Sequence, residues 1–154
     1  MEGKLNTTDI ELKQPGAYTL ISAGNQNTTL VSLGCRRMAR EFPATNFVHI
    51  YPGTVATEIL TGISKNPVLV FVIRNFLMPV LKLFAYTAEE CGERVLFDAF
   101  GGKYPAHGAY LVGGNCEEVN GQVGLLEGYE GDGVGEKVWR HTLDMWEGAV
   151  ARGR

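Results

Sequence analysis

The sequence lacks several features that mark specialised classes of protein. Its cysteines, Cys35, Cys91 and Cys116, are far apart and odd in number, which indicates reduced thiols in a cytoplasmic protein. Residues 1–13 contain no apolar core, so no secretory signal is expected there. The net charge of −3 predicts no basic surface for nucleic acid or for an anionic membrane.

Metal-binding patterns are also missing. The histidines His49, His107 and His141 are scattered, and none is paired with a second ligand at metal spacing, so no metal is expected. We predict instead that His49, inside an apolar run, is a core histidine with a hydrogen-bond partner. With 154 residues and a hydrophobic fraction of 45%, the chain has the size and composition of one globular domain.

One long apolar segment, residues 66–86, approaches the length of a membrane span. Arg74, Asn75, Pro79 and Lys82 interrupt it, and charged side chains are costly near the centre of a bilayer. We therefore expect no integral membrane span. The segment is interpreted as a helix or a kinked helix pair lining an apolar pocket, with a peripheral membrane contact as the alternative.

The predicted elements alternate as in an α/β protein with a parallel sheet. They are helix 18–41, strand 46–50, the apolar segment 66–86, helix 87–100, strand 108–114, a glycine-rich acidic loop 115–135, and helix 135–150. Thr87 and Glu90 form a capping box at the start of helix 87–100. The apolar faces of the last two helices comprise Val95, Leu96, Ala99 and Phe100, and Val138, Leu143, Met145 and Trp146. Because two strands make only a marginal sheet, this pattern resembles half of a larger fold.

The turn that follows strand 46–50 is the candidate binding site. Ligands of doubly wound sheets bind beyond the carboxyl ends of the strands, and Pro52-Gly53 stands at such an end. Glycine permits close approach to the backbone, while Thr54 and Thr57 offer hydroxyls and amides. The alternative is a turn that ends the strand, with a threonine capping the next helix.

The segment "YPGTVATEI" resembles the Pro-Gly-x-Val-x-Thr segment after the sixth strand of short-chain dehydrogenases/reductases. The flanking segments resemble fungal members of that family in the same order: "MEGKLNTTDIELK", "EFPATNFVHIYPG", "TAEECGERVLFDAFGGKYP", "GAYLVGG" and "VWRHTLDMWE". The resemblance implies that residues 1–154 form a single partial Rossmann-like domain, the C-terminal half of a doubly wound parallel sheet. It also implies an NAD(P) site in which Pro52, Gly53, Val55 and Thr57 bind the cofactor, the backbone contacting the nicotinamide carboxamide.

The sequence departs from this family in its catalytic residues and its glycine-rich loop. No strand–glycine-loop–helix unit for the cofactor pyrophosphate is present, and the family's catalytic serine belongs to the half without a counterpart here. The Tyr-x-x-x-Lys pair is also absent, because Tyr18 is followed four positions later by Ser22. The usual spacing instead places Ser22 at the tyrosine position and Gln26 at the lysine position. Tyr18 and Ser22 are thus the catalytic candidates, and Tyr18 has the alternative role of packing at the start of a helix.

The resemblance and the departures from it imply two alternative functions. The first is an NAD(P)-dependent oxidoreductase acting on a hydrophobic small-molecule substrate, an alcohol or ketone, in fungal secondary metabolism of terpenoids or polyketides. The second is a catalytically inactive remnant of such an enzyme, or a protein-interaction module that forms a homo-oligomer or binds a complementing partner chain.

Overall fold

The computed structural model describes residues 2–57, 65–104, 108–120 and 122–153 and shows a mixed α/β protein. Its elements, in chain order, are α1 (Leu20–Glu41), β1 (Phe47–Ile50), α2 (Pro67–Val72), a π-helical segment (Ile73–Leu77), α3 (Met78–Lys82), α4 (Ala88–Phe100), β2 (Ala109–Val112), α5 (Val123–Gly131) and α6 (Val134–Arg152). His107 lies outside the described residues.

Strands β1 and β2 form a two-stranded parallel sheet. The Phe47 N–H donates to the Gly108 carbonyl at 2.9 Å, and the Tyr51 N–H donates to the Val112 carbonyl at 2.8 Å. The residue numbers of the bonded groups increase together along the two strands, so the strands are parallel. Both predicted strands are thereby confirmed.

Local capping explains where two predicted helices begin. Thr87 Oγ1 accepts from the Glu90 N–H at 3.1 Å, and Glu90 Oε2 accepts from the Thr87 N–H at 2.8 Å, so the predicted capping box of α4 is confirmed. These hydrogen bonds lower the pKa of Glu90. Thr19 and Ser22 form an equivalent reciprocal cap for α1.

The prediction of a continuous loop over residues 115–135 is wrong, because residues 123–131 form α5. Burial outweighs the weak helix propensity of its glycines: Leu126 is fully buried, and the Tyr129 hydroxyl accepts from the Leu5 N–H at 2.8 Å. At the end of α5, the Glu130 carboxylate accepts from Arg36 Nη2 at 2.9 Å and also pairs with Arg40.

The chain divides into two compact units. The first comprises residues 1–49, 104–111 and 118–154. Helices α1, α5 and α6 pack together in it around one apolar cluster. That cluster consists of Leu5, Leu33, Leu111, Leu126 and Val138. The second unit comprises residues 50–103 and 112–117 and contains α2, the π-helical segment, α3 and α4.

A buried polar group lies in the first unit. Ser32 Oγ donates to Glu2 Oε1 at 2.8 Å and lies 2.8 Å from His49 Nδ1. Ser32 and Glu2 are buried and His49 is half-buried. Burial lowers the pKa of His49, and the Glu2 carboxylate opposes that shift. The predicted hydrogen-bond partner of His49 is therefore present, and its side chain is half-buried rather than fully in the core.

The apolar segment of the second unit forms one helical run from Pro67 to Lys82, with the π-helical segment in its middle. The Asn66 side chain caps it by accepting from the Val68 N–H at 3.0 Å. None of the helices within the described ranges is both long enough and apolar enough to cross a membrane.

The predicted apolar faces of α4 and α6 are largely exposed. Of the α6 face only Val138 is buried, while Trp146 is 69% exposed. On α4, Leu96 and Phe100 are exposed as well. In the part of the chain that the structure describes, nothing covers these side chains.

Candidate functional site

The turn after β1 requires glycine at position 53. Gly53 has a φ of +75°, which a residue with a Cβ adopts only at a cost. A Cβ added there would also lie 3.2 Å from Cε2 of the Tyr86 ring. Backbone conformation and the neighbouring ring therefore impose glycine independently at the centre of the candidate site.

Tyr86 holds the rest of the turn through its backbone. Its N–H donates to the Thr54 carbonyl, and its carbonyl accepts from the Ala56 N–H, both at 2.9 Å. Val55 and Tyr86 thus form an isolated parallel bridge. In such a bridge the N–H and C=O of the central residue are directed away from the paired strand. The Val55 carbonyl accepts from the Thr57 N–H at 2.8 Å, whereas the Val55 N–H has no hydrogen-bond partner within the described residues.

Two further residues support the turn from the other side. The position of a Cβ on Gly114 is 3.0 Å from the Pro52 carbonyl oxygen, so the two backbones touch. Arg94 joins these parts, because its guanidinium lies 4.1 Å from the centre of the Tyr86 ring and its Nη1 donates to the Gly114 carbonyl at 2.6 Å. Gly114, Arg94 and Tyr86 therefore fix the position of residues 52–56.

The loop that carries Gly114 is itself closed by hydrogen bonds. The Gly113 N–H donates to the Glu117 carbonyl at 2.8 Å, and the Cys116 N–H donates to the Gly113 carbonyl at 3.0 Å. Burial and the nearby Asp98 carboxylate raise the pKa of the Cys116 thiol. A raised pKa disfavours the thiolate form of Cys116.

A small apolar cavity of about 170 Å³ opens beside the turn. One wall is formed by residues 54–57 and the other by Met78, Leu81, Lys82 and Ala85. The hydroxyls of Thr54 and Thr57 have no hydrogen-bond partner among the residues that are described. An apolar cavity of ~150 Å³ accommodates benzene, so this one has room for a single six-membered ring. The predicted pocket wall therefore holds for four residues near the end of the apolar segment, whereas most of its other apolar side chains are exposed.

The catalytic candidates lie in the first unit. Tyr18 is 71% exposed. Ser22 Oγ accepts from the Thr19 N–H at 2.8 Å and donates to the Ala17 carbonyl at 2.7 Å, so this hydroxyl is engaged in capping α1. The structure brings Pro52, Gly53, Val55 and Thr57 together in the second unit; the assignment of Tyr18 and Ser22 stays a prediction.

Sequence reasoning missed Tyr86, Arg94 and Gly114 as parts of the site. The pair Gly113-Gly114 after strand β2 was the one available signal, because paired glycines at a strand end favour close backbone approach. No sequence pattern connects Tyr86 or Arg94 to the turn, since their contacts are made through the fold. Within the described ranges, no group of three metal-ligating side chains is gathered.

The chain is similar along nearly its whole length to fungal proteins named as oxidoreductases. It is 31% identical to Oxidoreductase AN1596 of Emericella nidulans, over 98% of this chain and 52% of that protein. It is 28% identical to the NmrA-like family domain-containing oxidoreductase notO of an Aspergillus species, over 100% of this chain and 48% of that protein. It is 24% identical to Oxidoreductase lepF of Aspergillus flavus, over 93% of this chain and 48% of that protein.

The chain thus spans about half the length of the curated relatives it matches. No protein-family model matches it, and no solved structure does. The relatives support membership of an oxidoreductase family at modest identity.

Proposed function

We propose that this relative of fungal oxidoreductases forms the nicotinamide-side wall of an NAD(P)-dependent enzyme of the short-chain dehydrogenase/reductase type. The observation that carries the proposal is the turn 52–57, which offers the Thr57 hydroxyl and a Val55 N–H with no partner among the described residues, beside a ring-sized apolar cavity. A partial Rossmann-like domain over residues 1–154 would present this turn at the carboxyl end of β1, where such folds bind ligands.

The donors and acceptors of the turn suit a carboxamide. The Val55 N–H donates to a carbonyl oxygen, and the Thr57 hydroxyl both donates and accepts, so it serves either end of an amide. The cavity walls contributed by Met78, Leu81 and Ala85 exclude water from an aromatic ring placed beside them. A nicotinamide cofactor supplies hydride transfer, and the role of this chain is to bind and orient the ring.

The substrate proposed for this site is a hydrophobic alcohol or ketone. The cavity wall provided by α3 is apolar except for Lys82, and the helical run that carries it contains few polar side chains. Such a wall favours an apolar substrate over a sugar or an amino acid. We place the reaction in fungal secondary metabolism, with terpenoids or polyketides as substrates, and in the cytoplasm.

A second candidate function is a catalytically inactive remnant or interaction module. The observation that favours it is Gln26, which stands where the family resemblance expects the catalytic lysine. Gln26 is buried; its Oε1 accepts from the Asn6 N–H at 2.9 Å, and its Nε2 donates to the Ile10 carbonyl at 3.1 Å. Gln26 thus anchors the N-terminal segment to α1. If Gln26 has this structural role in place of a catalytic lysine, a complementing partner chain or a second copy would have to supply catalysis.

Titration of the chain with NADH and NADPH, followed by fluorescence or calorimetry, tests the binding proposal. We expect submillimolar affinity, and we expect Thr57→Val to weaken it about threefold to tenfold through the loss of one hydrogen bond. Thr54→Val is the matched control, because it removes a neighbouring hydroxyl that the proposal does not use. Absence of binding would refute the cofactor site and leave the interaction module. Binding accompanied by turnover of a ketone would refute the inactive remnant.

A further inference from the structure

The apolar segment of the second unit exposes many of its apolar side chains. Its exposed apolar side chains are Val68, Leu69, Phe71, Val72, Phe76, Leu77, Val80, Leu83 and Phe84. Phe76 is 65% exposed and Phe84 is 83% exposed. Exposed apolar surface of this extent marks an interaction site, because soluble monomers rarely display it.

The packing of the segment within its own unit does not bury these side chains. Met78 is buried, and Met78, Leu81 and Ala85 line the cavity beside the turn. Val68, Val72, Phe76 and Val80 follow at intervals of four, and all of them are exposed. One side of the run is thus used inside the unit, and a second apolar side is left for a partner.

The charges of the segment indicate which partner it is. Lys65, Arg74 and Lys82 are exposed, and no Asp or Glu occurs from residue 65 to residue 88. The whole chain contains 17 acidic residues, so the net charge of −3 conceals a locally cationic surface. Exposed apolar residues also occur on α4, but Glu89, Glu90 and Glu93 accompany them. Of these two exposed surfaces, the apolar segment is therefore the one that complements an anionic apolar partner.

The length of the helical run determines whether it could span a bilayer or would lie at the bilayer surface. The 16 residues from Pro67 to Lys82 span about 24 Å at ~1.5 Å per residue, which is shorter than a bilayer core of ~30 Å. A helix of this kind, with Phe and Leu on one side and Lys and Arg beside them, lies in the plane of the interface.

We propose that residues 65–84 dock the chain on an anionic lipid bilayer, with Phe71, Phe76 and Phe84 entering the acyl boundary and the three cations contacting the headgroups. The cytoplasmic leaflet supplies such anionic lipids. Docking in this manner would bring the cavity beside residues 54–57 close to the bilayer, where hydrophobic substrates dissolve. That consequence rests on the proposed function, whereas the docking itself does not.

Cosedimentation of the full chain with vesicles tests this proposal. We expect binding to vesicles of phosphatidylcholine with about one-third phosphatidylserine, and at least about tenfold weaker binding to phosphatidylcholine alone or in high salt. The variant Phe76→Ser/Phe84→Ser is expected to lose at least about tenfold in binding. The matched control is Phe97→Ser/Phe100→Ser on α4, because Phe100 is also 83% exposed but lies near acidic residues. The control is expected to bind as the unchanged chain does.

A charge variant and a solution measurement complete the test. Arg74→Glu/Lys82→Glu should abolish the dependence on phosphatidylserine, and helical circular dichroism should be unchanged in every variant because all the substituted side chains are exposed. Absence of vesicle binding, or equal losses in the two phenylalanine variants, would overturn the proposal. Sedimentation equilibrium provides the remaining outcome: self-association that depends on Phe76 and Phe84, without vesicle binding, would assign the surface to a protein partner instead. None of these readouts depends on cofactor binding.

Discussion

Replacing Gly53 with alanine should lower the free energy of unfolding of the second unit through two effects, backbone strain and a steric contact with the Tyr86 ring. A residue with a Cβ pays about 1–2 kcal/mol in the left-handed region that Gly53 occupies at φ +75°. The new Cβ would also meet the Tyr86 ring at 3.2 Å, and shifting that ring from its preferred geometry adds ~1 kcal/mol. Gly102→Ala is the matched control in the same unit, because Gly102 has φ +64° and open space around it.

Urea unfolding followed by circular dichroism measures both variants, with free energies of unfolding from linear extrapolation. We expect Gly102→Ala to cost about 1–2 kcal/mol and Gly53→Ala to cost ~1 kcal/mol more. Equal losses in the two variants would refute the contact between the turn and the Tyr86 ring. A neutral Gly53→Ala variant would refute the left-handed conformation as well.

Substitutions at three further positions test other parts of the structure. Arg94→Lys should lower the free energy of unfolding in urea by about 1 kcal/mol, because lysine does not reproduce both the stacking on Tyr86 and the hydrogen bond to the Gly114 carbonyl. An Arg94→Lys variant as stable as the unchanged chain would contradict that role. Thr87→Ala should lower the free energy of unfolding by ~1 kcal/mol, because it removes the cap of α4. Thr87→Ser should retain most of that stability, since serine keeps the hydroxyl. Equal losses in the two variants would show that the hydroxyl does not cap the helix. Because burial lowers the pKa of His49 below its ordinary 6.5, the unfolded chain binds the proton more readily. Stability should therefore fall as pH drops below about 6.5, and His49→Asn should show a smaller fall between pH 7.5 and 5.5; an unchanged fall would refute the burial effect.

Features encoded in short stretches of sequence could be predicted. The start of α4 follows from Thr87 and Glu90, whose reciprocal hydrogen bonds involve only four consecutive residues. Strands β1 and β2 follow from short runs of β-forming residues bounded by glycine and proline. The turn at Pro52-Gly53 likewise follows from local chemistry, because a strand that ends in Pro-Gly is visible in the sequence, whereas the left-handed conformation of Gly53 is seen only in the structure.

Features that depend on distant contacts could not be predicted. Helix α5 contains three glycines, and its stability comes from Leu126 and Tyr129 packing into the core of the first unit. The support of the turn by Tyr86, Arg94 and Gly114 joins residues that are far apart in sequence. For the apolar segment, composition left both a pocket wall and a peripheral membrane contact open, because it does not show which side chains face outward; the structure exposes most of them.

An NMR titration of the isotopically labelled full chain with NADPH tests whether the turn after β1 binds a nicotinamide. We expect the amide resonances of residues 53–57 to shift in a saturable manner, with the Val55 amide proton moving because it gains a hydrogen-bond acceptor. Resonances of α5 and α6 should remain unchanged. Shifts confined to those helices, or no shifts at submillimolar NADPH, would contradict a nicotinamide site on this turn.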